Sequence, residues 1–402
     1  MLEPDRVRAL DLDLVRAEFP ALASGFVFLD NAGGSQTLGR VADRIRDYLL
    51  SSNVQLGASY AVSELAGERV RGAVRATATY LGTEDSSEVV IGSSTTQLLA
   101  NLALAMAGDL SPGDEIIVTE ADHHANIGCW QRLARSGVVI RTWPLDRETL
   151  RLEERDLLPL LNERTRLVAF PHVSNLLGTI HDVAALTRTI HAHGARVCVD
   201  GVAYAAHRRI DVRAWDVDYY VLSFYKVYGP HLAVLYGKRE LLERLETINH
   251  EFVAGQLPYK LQPGNLNFEL TYGAAGIYEY LDALGADAFD SIAAHEERLA
   301  SQLLGFLGGC RGVAVHGERT GDRARRVPTI SFSVAGRSPE QLVRRVDHHG
   351  IGIRHGDFYA KRLVQALGLA SHGGVIRVSM VHYNTAAELD RLIAALEAAF
   401  AG

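Results

Sequence analysis

The sequence predicts an α/β protein, with a large, mostly parallel sheet covered by helices on both faces and joined to a smaller α+β domain. Three observations predict it. Through the first two thirds of the chain, short β-rich runs alternate with helical stretches, as in strand–helix–strand units. Several of the β-rich runs are apolar without interruption, as strands buried on both faces of a parallel sheet are. After about residue 270 the alternation gives way to a long helical stretch and then to scattered short strands.

In chain order, the strands expected of the large sheet are Glu88–Ile91, Glu115–Thr119, Val138–Trp143, Thr165–Phe170, Arg196–Asp200, Tyr219–Ser223 and Leu232–Tyr236. Helical periodicity marks Thr96–Met106, Gly128–Ser136 and His181–His193 between them. A helical stretch over Tyr272–Leu307 opens the second part. Then come a strand at Arg326–Val334, a helix at Pro339–His349, an extended run at Ile351–Arg354, a strand at Val375–Ser379 and a helix at Thr385–Phe400. The 402 residues suit two domains. The expected division is 24–270 for the large domain, with 1–23 and 271–402 forming the small one.

Composition narrows the function classes. Hydrophobic residues make up 48% and charged residues 22%, as in ordinary globular proteins. The net charge of −7 and the lack of Lys/Arg runs argue against a nucleic-acid or anionic-membrane partner. No secretory signal and no membrane-spanning helix are expected. Cys129, Cys198 and Cys310 are few and unpatterned, with no CxxC pair, so neither a disulfide framework nor a zinc site is expected. The cytoplasm is the expected location.

Chemistry concentrates at the ends of the predicted strands, where ligands of open α/β sheets bind. Ser223-Phe224-Tyr225-Lys226-Val227-Tyr228-Gly229-Pro230 puts a lysine just past a buried strand. Alone it reads as an exposed loop lysine. At the ligand-binding rim, desolvation would lower its pKa and make it an amine nucleophile. Asp200 ends the strand Arg196–Asp200, where a carboxylate is costly without a partner. It reads either as a helix cap or ion-paired aspartate, or as the partner of a protonated pyridine nitrogen. The 26 residues from Asp200 to Lys226 span one strand–helix–strand unit and favour the second reading, a pyridoxal phosphate (PLP) site.

Three further strand ends agree. Asp122-His123-His124-Ala125-Asn126 offers a ring that can stack on a cofactor, and no HExxH spacing supports a metal. Gly92-Ser93-Ser94-Thr95-Thr96 opens a helix and reads either as plain capping or as a phosphate cradle, to which Ser223 adds a hydroxyl. Ser174-Asn175-Leu176-Leu177-Gly178 presents Asn175 to the cofactor oxygen or to a substrate carboxylate. In the small domain, Arg377 reads either as a surface strand arginine or as a bidentate carboxylate ligand.

The ordered set resembles the class V aminotransferase group of fold-type I PLP enzymes, the cysteine-desulfurase-like family. Asp122–Asn126 is similar to its HHAN motif and Ser174–Gly178 to its SNxLG motif. Asp200-Gly201 with His207 and Asp211 is similar to DGxxxxxHxxxDV, and Ser223–Pro230 to the lysine motif. The resemblance covers about residues 26 to 395. It implies that Lys226 is the Schiff-base lysine and proton shuttle, that Asp200 pairs with the pyridine nitrogen and that His123 stacks on the ring. It implies that Ser94, Thr95 and Ser223 hold the phosphate, and that Asn175 and Arg377, with Arg354 and Tyr359 nearby, bind substrate. It also implies a homodimer in which the Gly264–Asn267 segment, with Asn265, reaches the neighbour's cofactor.

Departures from the family pattern bear on the reaction. Ala203 stands where a glutamine is usual, and Tyr225 replaces the histidine before the lysine. Tyr359 stands where desulfurases carry the cysteine that accepts sulfur, and a phenol cannot form a persulfide. A persulfide-forming desulfurase is therefore disfavoured. The resemblance instead implies C–S bond cleavage by β-elimination on an S-substituted cysteine conjugate, in natural-product biosynthesis. The alternatives are transamination, epimerisation, decarboxylation with oxidative deamination, and a catalytically silent relative, which intact Lys226 and Asp200 disfavour. Substrate choice is expected to lie with Asn53–Glu64, Glu251–Asn267 and His355–Tyr359, whose Tyr60, Phe252, Tyr259 and Tyr359 suit either a pocket or a dimer interface.

Overall fold

A computed structural model describes residues 9–401 of the chain. Residues 1–8 of the N-terminal segment assigned to the small domain lie outside the described residues, as does Gly402. After the short helix Leu12–Ala17 comes β1 (Val27–Phe28). The large sheet follows as β2 (Val89–Gly92), β3 (Glu115–Thr119), β4 (Val139–Trp143), β5 (Thr165–Pro171), β6 (Arg196–Asp200), β7 (Tyr219–Ser223) and β8 (Ala233–Gly237). The C-terminal part adds β9 (Val313–His316), β10 (Thr329–Val334), β11 (Ile351–Gly352), β12 (Arg354–Gly356) and β13 (Val375–Ser379).

The large sheet runs β2-β8-β7-β6-β5-β3-β4. Its strands are parallel except β8, which pairs antiparallel with both β7 and β2. Alternate residues feed two separate apolar layers. Ile117, Val168, Val199 and Leu222 face one layer, with Ile277 of the helix Phe268–Leu284. Ile116, Leu167, Cys198 and Val221 face the other, with Leu98 and Leu102 of the helix Thr95–Met106. Burial on both faces is why these strands read as unbroken apolar runs.

The small sheet is antiparallel, in the order β12-β13-β10-β9. The parallel pair β1–β11 lies beside it, and Val27 and Leu29 pack with Ile330, Ile376 and Leu392 in its core. The two sheets meet closely at Gly178, whose φ is +72°. A Cβ there would come within 2.3 Å of the Thr329 carbonyl oxygen, so only glycine fits.

Four local expectations change. The stretch Tyr272–Leu307 is two helices, Phe268–Leu284 and Ala288–Gly309, broken where Gly285 turns to a φ of +104°. Glu88 is not in β2 but is buried in the turn before it, where it accepts a hydrogen bond from Arg213 at 2.7 Å. The segment Asn53–Glu64 runs into the helix Ala61–Leu81, which packs with Gly39–Ser51 against Phe268–Leu284. β9 is an additional edge strand of the small sheet. Among the described residues, no helix is long and apolar enough to cross a membrane.

Candidate active site

The carboxyl ends of β2, β3, β5, β6 and β7 open on one cavity. Ser94, Thr95, His123, Asn175, Asp200, Ser223, Tyr225 and Lys226, which the sequence singles out, all line it. Each reaches it for a local reason. Lys226 closes a tight turn, Phe224–Lys226, directly after β7. Burial and the charge of Arg377, opposed by Asp200 and Asp30, together lower its pKa to about 8. A substantial fraction of the amine is therefore neutral near physiological pH.

Asp200 is buried at the end of β6 and accepts a hydrogen bond from the Val202 N–H at 2.9 Å. The next residue must be glycine, because a Cβ on Gly201 would overlap the Tyr220 ring at 2.1 Å. Asp122 lines the same cavity. It accepts from the His123 N–H and from Asn126 Nδ2, both at 2.7 Å. Burial raises the pKa of both carboxyls, and the charge of Asp200 raises that of Asp122 further. Two buried carboxylates this close call for a cation between or beside them.

His123 is held in one tautomer. Its Nδ1 accepts the Ala125 N–H at 3.1 Å, so the ring proton sits on Nε2. Burial, with Lys226, His124 and Arg377, lowers its pKa to about 4, and the ring is neutral. At the other end of the cavity, Thr95 begins the 12-residue helix Thr95–Met106. The Ser94 hydroxyl caps that helix by accepting the Gln97 N–H at 3.2 Å. The hydroxyls of Thr95 and Ser223 lie 2.6 Å apart, joining the ends of β2 and β7. Tyr225 stacks on His231, with ring centroids 4.8 Å apart.

The small sheet and the segments around it supply a second group of side chains beside the cavity. Arg377 of β13 is buried rather than exposed on a strand surface. It donates from Nη2 to Asp30 at 2.8 Å and from Nη1 to the Asn175 carbonyl at 3.1 Å, and lies 3.8 Å over the Phe358 ring. Arg354 pairs with Arg377 in strand register and approaches the other oxygen of Asp30 at 3.7 Å. Asn175 Nδ2 donates to the Phe358 carbonyl at 2.9 Å. Tyr359 is 70% exposed, with its ring centroid 5.2 Å from that of His123. Phe358 and Tyr359 both have positive φ, 52° and 60°, a strained turn for bulky residues.

Asn265 does not join this cavity within one chain. It is exposed and faces Gln55 at 3.4 Å. Sequence reasoning gave no role to Asp122, Asp30, Phe358 or His231. Asp122 was visible as a carboxyl at a strand end. Asp30 carried no such signal, because its partner lies 347 positions away.

The cavity fits a pyridoxal phosphate. One end presents a buried carboxylate suited to a protonated ring nitrogen, the other a helix N-terminus and two hydroxyls suited to a phosphate. Between them stand an amine and a flat neutral ring. Asn175 Oδ1 in the cavity lining and Arg377 Nε beside it are buried without a hydrogen-bond partner, as groups awaiting a ligand are.

Comparison with known proteins agrees with this geometry. The family model described as aminotransferase class-V matches residues 27–392. The chain is 43% identical over 399 residues to the aminotransferase-like protein FGM3 of Gibberella zeae, covering 97% of this chain and 98% of that protein. It is 38% identical to part of the nonribosomal peptide synthetase-like enzyme fsqF of Aspergillus fumigatus, covering 96% of this chain but 26% of that one. Among solved structures, the cysteine desulfurase CsdA of Escherichia coli superposes with a TM-score of 0.85 at 29% identity, over 98% of this chain and 99% of that one. The chain belongs to the class V aminotransferase family of PLP-dependent, fold-type I enzymes.

Proposed function

We propose that the protein cleaves the C–S bond of an S-substituted cysteine conjugate by β-elimination. The observation that carries this reading is a Lys226 amine whose pKa is lowered to about 8, in a cavity whose lining contains no thiol among the described residues. When bound, the cofactor supplies electron withdrawal from the bonds at the substrate Cα. Asp200 would hold the pyridine nitrogen charged, His123 would cover the ring, and Thr95, Ser223 and the helix N-terminus at Ser94 would hold the phosphate. Asn175 and Arg377 would orient the substrate carboxylate, with Arg377 Nε free to donate. Lys226 would remove the Cα proton as general base. A sulfur substituent on Cβ then leaves as a thiol, and the remainder hydrolyses to pyruvate and ammonia.

Transfer of sulfur to the protein is disfavoured on the same geometry. Cys129 is buried and its thiol is pushed up to about 12, so it is not a thiolate at neutral pH. Cys198 is buried in β6, and Cys310 caps the helix Ala288–Gly309. Tyr359 occupies the loop beside His123. A role in natural-product biosynthesis draws support from the match to part of a nonribosomal peptide synthetase-like enzyme. Transamination is the second reading, favoured by the aminotransferase-like description of the 43% identical relative. The active unit would be a homodimer, supported by exposed Tyr60, Phe252 and Tyr259, of which Tyr259 lines one groove with Gly264 and Asn265; a monomer in sedimentation analysis would count against it.

The test is incubation of the PLP-loaded enzyme with a panel of S-substituted cysteines, assaying free thiol and pyruvate. Equal yields of thiol and pyruvate support the lyase. Keto acid retaining the sulfur substituent, with no thiol released, replaces it with transamination.

A further inference from the structure

A second groove, of about 510 Å³, adjoins the cofactor cavity. The two share Thr96, His123, Ala125 and Tyr225 in their linings. The remaining walls include His124, Gly128, Arg132 and Tyr359. Tyr359 is fixed there by its backbone, because its carbonyl accepts the His124 N–H at 2.9 Å. Its ring, with those of His123 and Tyr225, gives the groove flat aromatic surfaces.

The charge of the groove is one-sided. No carboxylate lines it among the described residues. Arg132 is exposed on it and has no carboxylate partner among the described residues. An unpaired arginine in a groove without carboxylates gives that groove a cationic group for an anion to meet.

We propose that this groove is the subsite for the substrate's side-chain substituent and that it takes an aromatic group bearing a carboxylate. The rings stack on the aromatic part and Arg132 meets the acid. This rests on the reading that an amino acid binds at Lys226, but not on which bond is then cleaved. Arg132 is the specificity-determining residue of the subsite.

The experiment titrates PLP-loaded enzyme with S-benzyl-L-cysteine and with S-(4-carboxybenzyl)-L-cysteine, reading dissociation constants from the cofactor's absorbance. The acid-bearing ligand should bind about threefold to fivefold more tightly at low ionic strength, the scale of one exposed ion pair. The preference should fade as salt is added. Arg132→Lys should keep it, Arg132→Gln should lose it and Arg132→Glu should invert it. Equal affinities in the wild type, a preference that survives in Arg132→Glu, or no absorbance change with either ligand overturns the proposal. The preference without pyruvate release leaves the subsite standing and removes the lyase reading. Pyruvate from both ligands without an Arg132-dependent preference does the reverse.

Discussion

The two sides of the active site are built in different ways. On the cofactor side, each group sits at the end of a buried strand, within a few residues of the element that places it. Asp200 ends β6, and Ser223 and Lys226 end β7 or follow it. On the substrate side, Arg377 is held by Asp30, Asn175 and Phe358, which come from three distant segments. The strand ends are positioned by the sheet core and tolerate little motion. The substrate side depends on a few polar contacts and on two residues at positive φ. A scaffold of the first kind keeps its cofactor while the second kind changes with substrate.

The same difference decides what could be read from the sequence. β3, β6 and β7 were legible to the residue because each carries an apolar run with a polar residue at its end, and β13 because only Arg377 interrupts its apolar run. The cofactor cavity followed from those ends. Gly285 was not legible as a break, because apolar periodicity continues on either side of it. Helix Ala61–Leu81 was missed because small and charged residues fill it and its apolar stripe is thin. The clasp of Asp30 on Arg377 and the cap of Phe358 depend on chain reversals hundreds of residues apart, which no local pattern encodes.

Substitutions on the two sides should separate in kind and in size. On the proposed roles, Asp200→Asn removes the charge that would hold the pyridine nitrogen. It should lower turnover by about 10² to 10³ while leaving the fold intact, the scale of a lost electrostatic stabiliser; a loss under tenfold would place the nitrogen elsewhere. Asp30→Ala strips Arg377 of its only carboxylate within hydrogen-bonding distance among the described residues. Breaking a buried ion pair on one side costs about 3–5 kcal/mol. Asp30 is partly exposed, so about 2 kcal/mol of destabilisation is expected in denaturant unfolding, together with a raised KM. An unchanged midpoint and KM would show that Asp30 holds nothing.

A smaller effect should appear in the pH dependence of cofactor uptake. The neutral amine is the reactive form, and Lys226 in the empty site titrates at about 8. The rate at which the apoprotein takes up PLP should therefore rise with pH to about 8 and level off above it. Arg377 depresses that pKa, so Arg377→Gln should move the inflection upward. An inflection unmoved, or moved downward, would mean that the two sides are not electrostatically coupled.

The central claim is that Lys226 carries the cofactor. The direct measurement is the visible absorbance of the purified protein beside that of Lys226→Ala, each after incubation with PLP and removal of the excess. The account predicts a visible band in the wild type that borohydride reduction fixes covalently to the peptide containing Lys226, and no such adduct in the variant. A covalent adduct of the same yield in Lys226→Ala, or a wild type that PLP cannot colour, would contradict it.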